Sequence, residues 1–290
     1  MTEGFSLIKV DAKISEPATV LIQKIADAVG GYFKPYQIRR VAKAEAEAEI
    51  IKEQAQIKIT SLQRRALARF VSEEAKKQDN IESITEKAIP QLNDSSNPQN
   101  MEDDWITNFF DKCRIVSDEE MQLLWAKVLA GEANSPGTYS KRTVNSLGSL
   151  DKRDAQLFTN LCSFVVIIEE ATPLIYDAQA SIYNDRQINF ETLTHLDDIG
   201  LISFAPVAGY IRTELPQHVD IYYYGTALKV ECKNPKNNEI KIGNVLFTNV
   251  GKQLMRICSS KPIDGFLDYV IGRLSQQGLV LSSPYPKPQI

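Results

Sequence analysis

The chain has 290 residues, 43% of them hydrophobic, and a formal net charge of −4. That is enough apolar sequence to bury a core in two domains, and it excludes a largely disordered protein. The longest apolar run, "FVVII" at 164–168, is far shorter than the roughly 20 residues of a membrane-spanning helix. The first residues lack the basic and then apolar pattern of a secretory signal, so we expect a cytoplasmic protein.

Residues that could carry chemistry are sparse. The four cysteines are far apart in the sequence and only two histidines are present, which indicates neither a zinc site nor a disulfide framework. The motifs GxxxxGKS/T, GxGxxG, HExxH and GxSxG do not occur. The acidic pairs Asp103-Asp104 and Glu119-Glu120 fall at predicted helix starts, where negative charge stabilises the helix dipole without a metal. We therefore expect a protein that is not an enzyme and holds no cofactor.

Two helices are predicted before residue 80. The first covers Pro17–Val29, and the second runs from about Tyr36 to Gln78, a stretch without Pro or Gly. Apolar residues recur every three or four positions along the second helix. A helix of that length spans roughly 60 Å, more than a domain of this size can bury, so we expect it to find a partner helix. Self-association is predicted through Val41, Ile51, Ile59, Leu62 and Phe70. The alternative is that the stripe packs on helices of its own chain.

The stretch "YFKPYQIRRVAK" at 32–43 is basic and aromatic. Its four positive charges are Lys34, Arg39, Arg40 and Lys43. Together with the apolar helix before it, segment 15–43 could lie on an anionic membrane surface, or the charges could follow a phosphate backbone. A solvated basic shoulder is the simpler interpretation, because alanine–glutamate pairs follow immediately.

The segment "PQLNDSSNPQN" at 90–100 is predicted to be a linker, because turn-forming residues dominate it. It would separate an N-terminal helical arm, 1–89, from a central helical bundle, 101–189. The last helix of this bundle is predicted to run from Asp151 through "AQLFTNLCSFVVI".

A turn inside this bundle is the most unusual stretch of the sequence. "SPGT" places Pro136 and Gly137 at the central positions of a type II turn between two antiparallel helices. Trp125 is predicted to pack between these helices, with Trp105 as a second core anchor. A catalytic alternative would bring together Glu132, Ser140 and Arg142, but no His or Cys lies nearby to activate the serine.

Residues 190–290 change in character, from helix to short strands, β-hairpins and helix again. This order is typical of a winged-helix-like α+β domain. The helix "FETLTHLDDIG" would bring Glu191, Asp197 and Asp198 toward phosphates if it entered a DNA groove. We therefore favour a protein partner for this domain over a nucleic acid.

Most of the chain resembles a known bacterial family. The run "WITNFFDKCRIVSDEEMQLLWAKVLAGEANSPGTYSKRTVNSLGSLDKRDAQLF" at 105–158 is similar to the central block of the family of domains of unknown function 2806. The stretches "RRALARFVSEEAKKQDNIESITEKAIPQL" and "LTHLDDIGLISF…LFTNVGKQLMRIC" resemble its N-terminal and C-terminal parts. The resemblance implies a bacterial or phage-borne cytoplasmic protein, often met near prophages and defence genes, and it transfers no catalytic residues.

The expected fold is mainly α: a long helical arm, a central helical bundle and a winged-helix-like C-terminal module. The expected function is a self-associating interaction or scaffold protein with an unknown protein partner, and the resemblance adds a role in phage defence. A membrane-active effector using segment 15–43 and a nucleic-acid-binding regulator using the C-terminal module are the alternatives.

Overall fold

The computed structural model describes residues 15–29 and 60–282 of the chain. The chain divides at the Gly148–Ser149 bond into two compact units. This division differs from the sequence-based boundaries at residues 89, 100 and 189. Within the described residues, no helix is long and apolar enough to cross a membrane.

The described part of the first unit is built from helices. Its α-helices are α1 (Glu16–Val29), α2 (Ser61–Ala88), α3 (Asp103–Cys113), α4 (Glu119–Asn134) and α5 (Lys141–Ser149), which reaches the unit boundary. Two 3-10 helices, Ile89–Gln91 and Pro98–Asn100, lie between α2 and α3. Helix α4 begins after Asp118, whose carboxylate accepts hydrogen bonds from the backbone N–H groups of Glu120 and Met121, each at 3.0 Å.

The core of the first unit is aromatic. The rings of Phe109 and Trp125 meet edge to face with centroids 5.1 Å apart, and Phe109 stacks on Trp105 at the same distance. Trp105 donates its indole N–H to the backbone oxygen of Tyr139 at 2.6 Å, which satisfies a polar group inside the core. Helices α3 and α4 are thereby fixed to each other.

The segment 90–100, predicted to be a linker, is packed and hydrogen-bonded. The backbone N–H of Asn97 donates to the Ala133 oxygen at 2.9 Å. The backbone N–H of Asn93 donates to Asn134 Oδ1 at 3.0 Å. Its turn-forming residues therefore build a tight connection onto the end of α4, because they satisfy backbone groups that a free spacer would leave to water.

The second unit combines helices with antiparallel strands. Its helices are α6 (Lys152–Cys162), α7 (Ser181–Asn184), α8 (Phe190–Asp198), α9 (Asn249–Met255) and α10 (Phe266–Ser275). Its strands are β1 (Val165–Ile168), β2 (Glu170–Pro173), β3 (Ile202–Phe204), β4 (Tyr210–Leu215), β5 (His218–Tyr223), β6 (Thr226–Glu231), β7 (Asn238–Gly243), β8 (Val245–Phe247) and β9 (Val280–Ser282).

Five strands form the largest sheet, in the order β2-β1-β5-β6-β9 with antiparallel neighbours, and β3-β8 and β4-β7 form two further pairs. Ile167 of β1 lies opposite Tyr222 of β5. The expected helix through "FVVI" was therefore wrong: α6 ends at Cys162, and the β-branched run that follows forms β1. As a result, strands begin inside the region 101–189 that was predicted to be all helical.

Aromatic side chains also hold the second unit together. The Phe164 ring lies 4.9 Å from the Tyr183 ring and 5.1 Å from the Phe266 ring, measured between centroids. The Tyr183 hydroxyl donates to the backbone oxygen of Leu174 at 2.7 Å. The sheet is thus joined to α7 and α10 through one buried cluster.

The strand β7 has a side chain bonded to its backbone. Gln277 Oε1 accepts from the backbone N–H of Lys241 at 2.8 Å, and Gln277 Nε2 donates to the Lys241 oxygen at 3.2 Å. The side-chain amide of Gln277 therefore makes the two hydrogen bonds to the Lys241 backbone that a neighbouring strand would make.

Candidate interaction surface

The N-terminal half of α2 is exposed on all sides. Every residue from Ser61 to Phe70 is exposed, and three large apolar side chains lie among them. Leu62 is 67% exposed, Leu67 41% and Phe70 59%. We call Leu62, Ala66, Leu67 and Phe70 the α2 apolar face. Apolar groups concentrated on a charged helix indicate an interaction surface more strongly than single exposed hydrophobic residues do.

The C-terminal half of the same helix is anchored to the first unit. Ile81, Ile84 and Ala88 are buried where α2 packs on α4. Gln122 of α4 accepts hydrogen bonds at 2.8 Å from the Ser83 hydroxyl and from Lys87 Nζ. This half therefore fixes the direction in which the exposed half projects.

Helical geometry connects the two halves. Positions 18 residues apart are separated by five full turns of 3.6 residues and so share one side of the helix. The residues 18 positions after Leu62, Leu67 and Phe70 are Asn80, Thr85 and Ala88, and all three of these are buried. Among the residues that the structure describes, the α2 apolar face thus continues the packed side of the helix beyond the part that α4 covers.

Charges on the exposed half change sign along the helix. Arg64, Arg65 and Arg69 come first, and Glu73 and Glu74 follow. Arg69 pairs with Glu73 at 3.4 Å, and Glu74 with Lys77 at 2.6 Å. Such pairs within one helix stabilise it by only a few tenths of a kcal/mol each, so they do not explain why the exposed half stays helical.

Helix α2 begins at a defined cap. The Thr60 hydroxyl accepts from the backbone N–H of Gln63, while Gln63 Oε1 accepts from the backbone N–H of Thr60 at 2.9 Å. Thr60 has an extended backbone, with φ −65° and ψ 158°. The prediction of one unbroken helix from Tyr36 to Gln78 was therefore wrong at Thr60, where a reciprocal capping box begins α2.

Several predicted site residues lie outside the described ranges. They are Val41, Ile51 and Ile59 of the self-association stripe and the cations Lys34, Arg39, Arg40 and Lys43. Leu62 and Phe70 are the two members of the stripe that the structure describes. Leu67 was missed because it lies one position off the regular apolar spacing.

The unusual turn between α4 and α5 is stabilised by hydrogen bonds within its own segment. Gly137 has a φ of 89°, and the N–H of Thr138 donates to the Ser135 oxygen at 3.2 Å, as a type II turn with Pro136 requires. The Glu132 carboxylate is buried and accepts from the backbone N–H groups of Gly137 at 2.6 Å and Tyr139 at 2.8 Å.

Burial raises the pKa of Glu132, and this effect exceeds the lowering by its backbone hydrogen bonds. Its hydrogen bonds to Gly137 and Tyr139 stabilise the turn, and the carboxylate does not face a substrate. Trp125 is completely buried and Trp105 nearly so, which places both in the core beside this turn.

Two residue sets that could signal chemistry have structural uses. Asp103 and Asp104 lie in the first turn of α3, and Glu119 and Glu120 in the first turn of α4. Across residues 15–29 and 60–282, no three His, Cys, Asp or Glu side chains are grouped so as to hold a metal ion.

Comparison with known proteins relates the chain to one family. Neither the curated proteins nor the solved structures contain a match. A family model described as a protein of unknown function (DUF2806) matches residues 64–271, from the exposed half of α2 into α10. Because this match covers more than half of the chain, the protein belongs to the DUF2806 family.

Proposed function

We propose that the protein is a non-enzymatic interaction or scaffold protein, which associates with further copies of itself through the α2 apolar face. The observation that carries the proposal is the exposure of Leu62, Leu67 and Phe70 on the packed side of a rigidly anchored helix. Burying one such side chain is worth roughly 1.5–3 kcal/mol, so several of them from two copies could offset the cost of association.

A second copy suits this surface better than an arbitrary partner because of the order of charges. If two α2 helices cross antiparallel, Arg64 and Arg65 of one copy approach Glu73 and Glu74 of the other. A parallel arrangement would instead place arginine beside arginine. The proposal therefore includes a twofold, antiparallel contact, in which both copies use the same surface.

An exposed helix of this length also needs support. Helices shorter than about 12–15 residues are marginal in water when nothing packs on them. The stretch from Ser61 to Glu73, exposed except for the half-buried Val71, falls in that range. Contact with a second helix would supply the N-terminal half with the kind of packing that the described part of the first unit gives to the C-terminal half.

The membrane alternative is weaker because α1 already uses its apolar side. Ala18, Leu21 and Ile25 are buried in the first unit, and Lys24 Nζ donates to the Met101 oxygen at 2.6 Å. This helix would have to leave its place before it could lie on a lipid surface.

The nucleic-acid alternative is weaker for an electrostatic reason. A winged-helix-like arrangement would use α8 as the helix that enters the DNA groove. Glu191 and Asp198 are exposed on this helix, and their carboxylates would repel phosphates. His195 of the same helix already contacts a carboxylate, with its Nε2 2.6 Å from Asp154 Oδ1. A role in phage defence stays a prediction from the resemblance.

Light scattering after size-exclusion chromatography tests the proposal. The parent chain at tens of micromolar should have at least twice the monomer mass, and Leu62→Glu with Phe70→Glu should return it to monomer. The matched control is Ala68→Glu with Ser72→Glu, which adds the same charge to the opposite side of α2 and should leave the assembly intact. A monomeric parent, or equal dissociation by both pairs, contradicts the proposal.

A further inference from the structure

The second unit contains an open cavity between the β5–β6 turn and the segment that leads into α10. Tyr223 and Tyr224 line it from the side of the turn, and Ile263 and Leu267 from the side of the helix. Its volume of about 270 Å³ lies just below the roughly 300–1,000 Å³ of sites for drug-sized molecules, so it suits a smaller group. The aromatic and aliphatic walls favour a ligand with an apolar part.

Hydrogen bonds hold the two tyrosine rings in place. The Tyr223 hydroxyl donates to the Ser163 oxygen at 2.9 Å and accepts from the backbone N–H of Ile263 at 2.7 Å. The Tyr224 hydroxyl donates to Ser260 Oγ at 2.6 Å, and the two rings meet edge to face with centroids 4.9 Å apart. A tyrosine hydroxyl has one proton to donate, so neither ring offers a hydrogen-bond donor to a ligand.

The charged side chains of the cavity are the carboxylates of Asp264 and Asp268, both exposed. Among the residues that the structure describes, neither carboxylate makes a hydrogen bond or an ion pair, and no basic side chain lines the cavity. Asp268 lies in the first turn of α10, where negative charge also stabilises the helix. Asp264 precedes the helix and has no such use. A ligand in this cavity therefore meets hydrogen-bond acceptors and negative charge.

We propose that this cavity binds an organic ammonium ion. The ammonium group donates hydrogen bonds to Asp264 and Asp268, while the carbon chain packs on Leu267 and on the exposed ring of Tyr224. A cation beside a tyrosine ring also gains cation–π attraction, which an anion or a neutral molecule does not. This site is separate from the α2 apolar face, because all of its lining residues belong to the second unit.

The same chemistry is available from a free alkylamine and from a lysine side chain. One lysine of this chain, Lys287, lies outside the described ranges, five positions after Ser282, the last residue of β9. Ser282 lies opposite Lys229 of β6, and β9 runs antiparallel to β6 toward Thr226, which lines the cavity. Three residues of strand span about 10 Å, whereas five extended residues reach up to about 17 Å, so Lys287 is within reach of the cavity.

Saturation-transfer difference NMR on the full chain provides the test. Three probes of nearly equal size are compared, namely butylammonium as the cation, butyrate as the anion and butanol as the neutral molecule. Butylammonium should bind with a dissociation constant on the order of 1 mM, within the ceiling for so small a ligand. Butyrate should bind at least about tenfold more weakly, because it meets two like charges. Equal binding of the three probes, or preference for butyrate, would overturn the proposal.

Variants test the residues of the cavity. Asp264→Asn should weaken butylammonium binding about fivefold, the upper end for an exposed ion pair. Asp198→Asn, which removes the same charge from α8 outside the cavity, is the matched control and should leave binding unchanged. Tyr224→Leu should cost roughly two- to fivefold in affinity, while Tyr224→Phe keeps the ring and most of the binding. Circular dichroism checks that each variant is folded. Equal loss in Asp264→Asn and Asp198→Asn would mean that only the overall negative charge attracts the probe.

Lys287→Gln distinguishes the two sources of the ammonium group. If Lys287 occupies the cavity of the parent protein, this variant should bind butylammonium more tightly than the parent does. Equal affinity of the two proteins assigns the site to a free amine or to a lysine of another molecule. Both results support an ammonium site, whereas binding of butylammonium to neither protein contradicts it.

Discussion

Two regions of the first unit contrast in how their side chains are used. The turn from Glu132 to Tyr139 has the most varied chemistry in the sequence, and its polar groups bond inward to its own backbone. The exposed half of α2 is repetitive in sequence, and its apolar side chains face solvent. The segment with the most varied side chains is therefore a structural element. The candidate for function is the helix half whose apolar side chains are not packed.

The contrast has a simple physical basis. A buried carboxylate must be hydrogen-bonded to offset its desolvation, and each oxygen of Glu132 accepts a backbone N–H of the turn. An exposed leucine or phenylalanine has no such constraint, and its free energy falls only when another surface covers it. Changes in the turn should therefore act on stability, and changes on α2 should act on association.

Trp125→Ala should give the largest effect. Removing this completely buried ring leaves a cavity against Phe109, and truncations of large aromatic residues in cores cost roughly 3–5 kcal/mol. Urea denaturation of the purified variant measures the loss of unfolding free energy. A loss below about 1 kcal/mol would mean that the core between α3 and α4 does not support the turn.

Glu132→Gln should come next. The amide NH₂ of glutamine cannot accept a hydrogen bond, so only one of the N–H groups of Gly137 and Tyr139 keeps an acceptor. The other buried N–H is left unpaired, at a cost of roughly 1–3 kcal/mol. The difference should also depend on pH. The pKa of Glu132 is higher in the folded protein than in the unfolded chain, so folding favours the protonated side chain. The contribution of Glu132 to stability is therefore fully present below the ordinary value of 4.5 and is lost as pH rises through the folded pKa.

Denaturation of both proteins at several pH values measures this dependence. The parent's advantage over Glu132→Gln should shrink as pH increases above 4.5. An advantage that grows with pH would mean that the hydrogen bonds of the carboxylate outweigh its burial.

Gly137→Val should have a moderate effect of about 1–2 kcal/mol, the cost of forcing a side chain into the left-handed region. A Cβ atom at Gly137 would meet nothing within 4 Å, so the effect isolates backbone conformation from steric clash. Thermal unfolding of Gly137→Val against Gly137→Asn, which tolerates this conformation better, provides the measurement. Equal stability of the two variants would contradict the explanation.

Leu62→Glu with Phe70→Glu should change the stability of the monomer least. Both side chains are mostly exposed, and such surface changes usually alter unfolding free energy by no more than about 0.5 kcal/mol. Denaturation at concentrations low enough to dissociate the parent gives this value. A large loss would indicate that the α2 apolar face is packed inside its own chain, and the contrast between the two regions would disappear.

Local chemistry decided which features could be predicted from sequence. Pro136 and Gly137 specify their turn within four residues, and the burial of Trp125 follows from its position on a helix beside it. The capping box at Thr60 also involves only residues close in sequence. It was not predicted, because the regular apolar spacing continues through Thr60 and indicated one unbroken helix.

Features that depend on distant residues were missed. The run at Val165–Ile168 is compatible with a helix or a strand, and pairing with β5, which lies more than 50 residues later, decides for the strand. The same holds for segment 90–100, whose contacts with the end of α4 turn an expected spacer into a packed connection. For the candidate surface, sequence supplied Leu62 and Phe70, while only the structure showed that the packed side of α2 continues uncovered.

The amide of Gln277 has a consequence for how copies of this protein can meet. A strand with free backbone groups is a template on which another chain can add a strand, which is a common route to aggregation. At Lys241 those groups are already bonded to Gln277. Addition of a further strand to the β4-β7 pair is therefore blocked at this position. Self-association through α2 requires a high protein concentration, and at that concentration the bonded edge protects this strand pair from aggregation by strand addition.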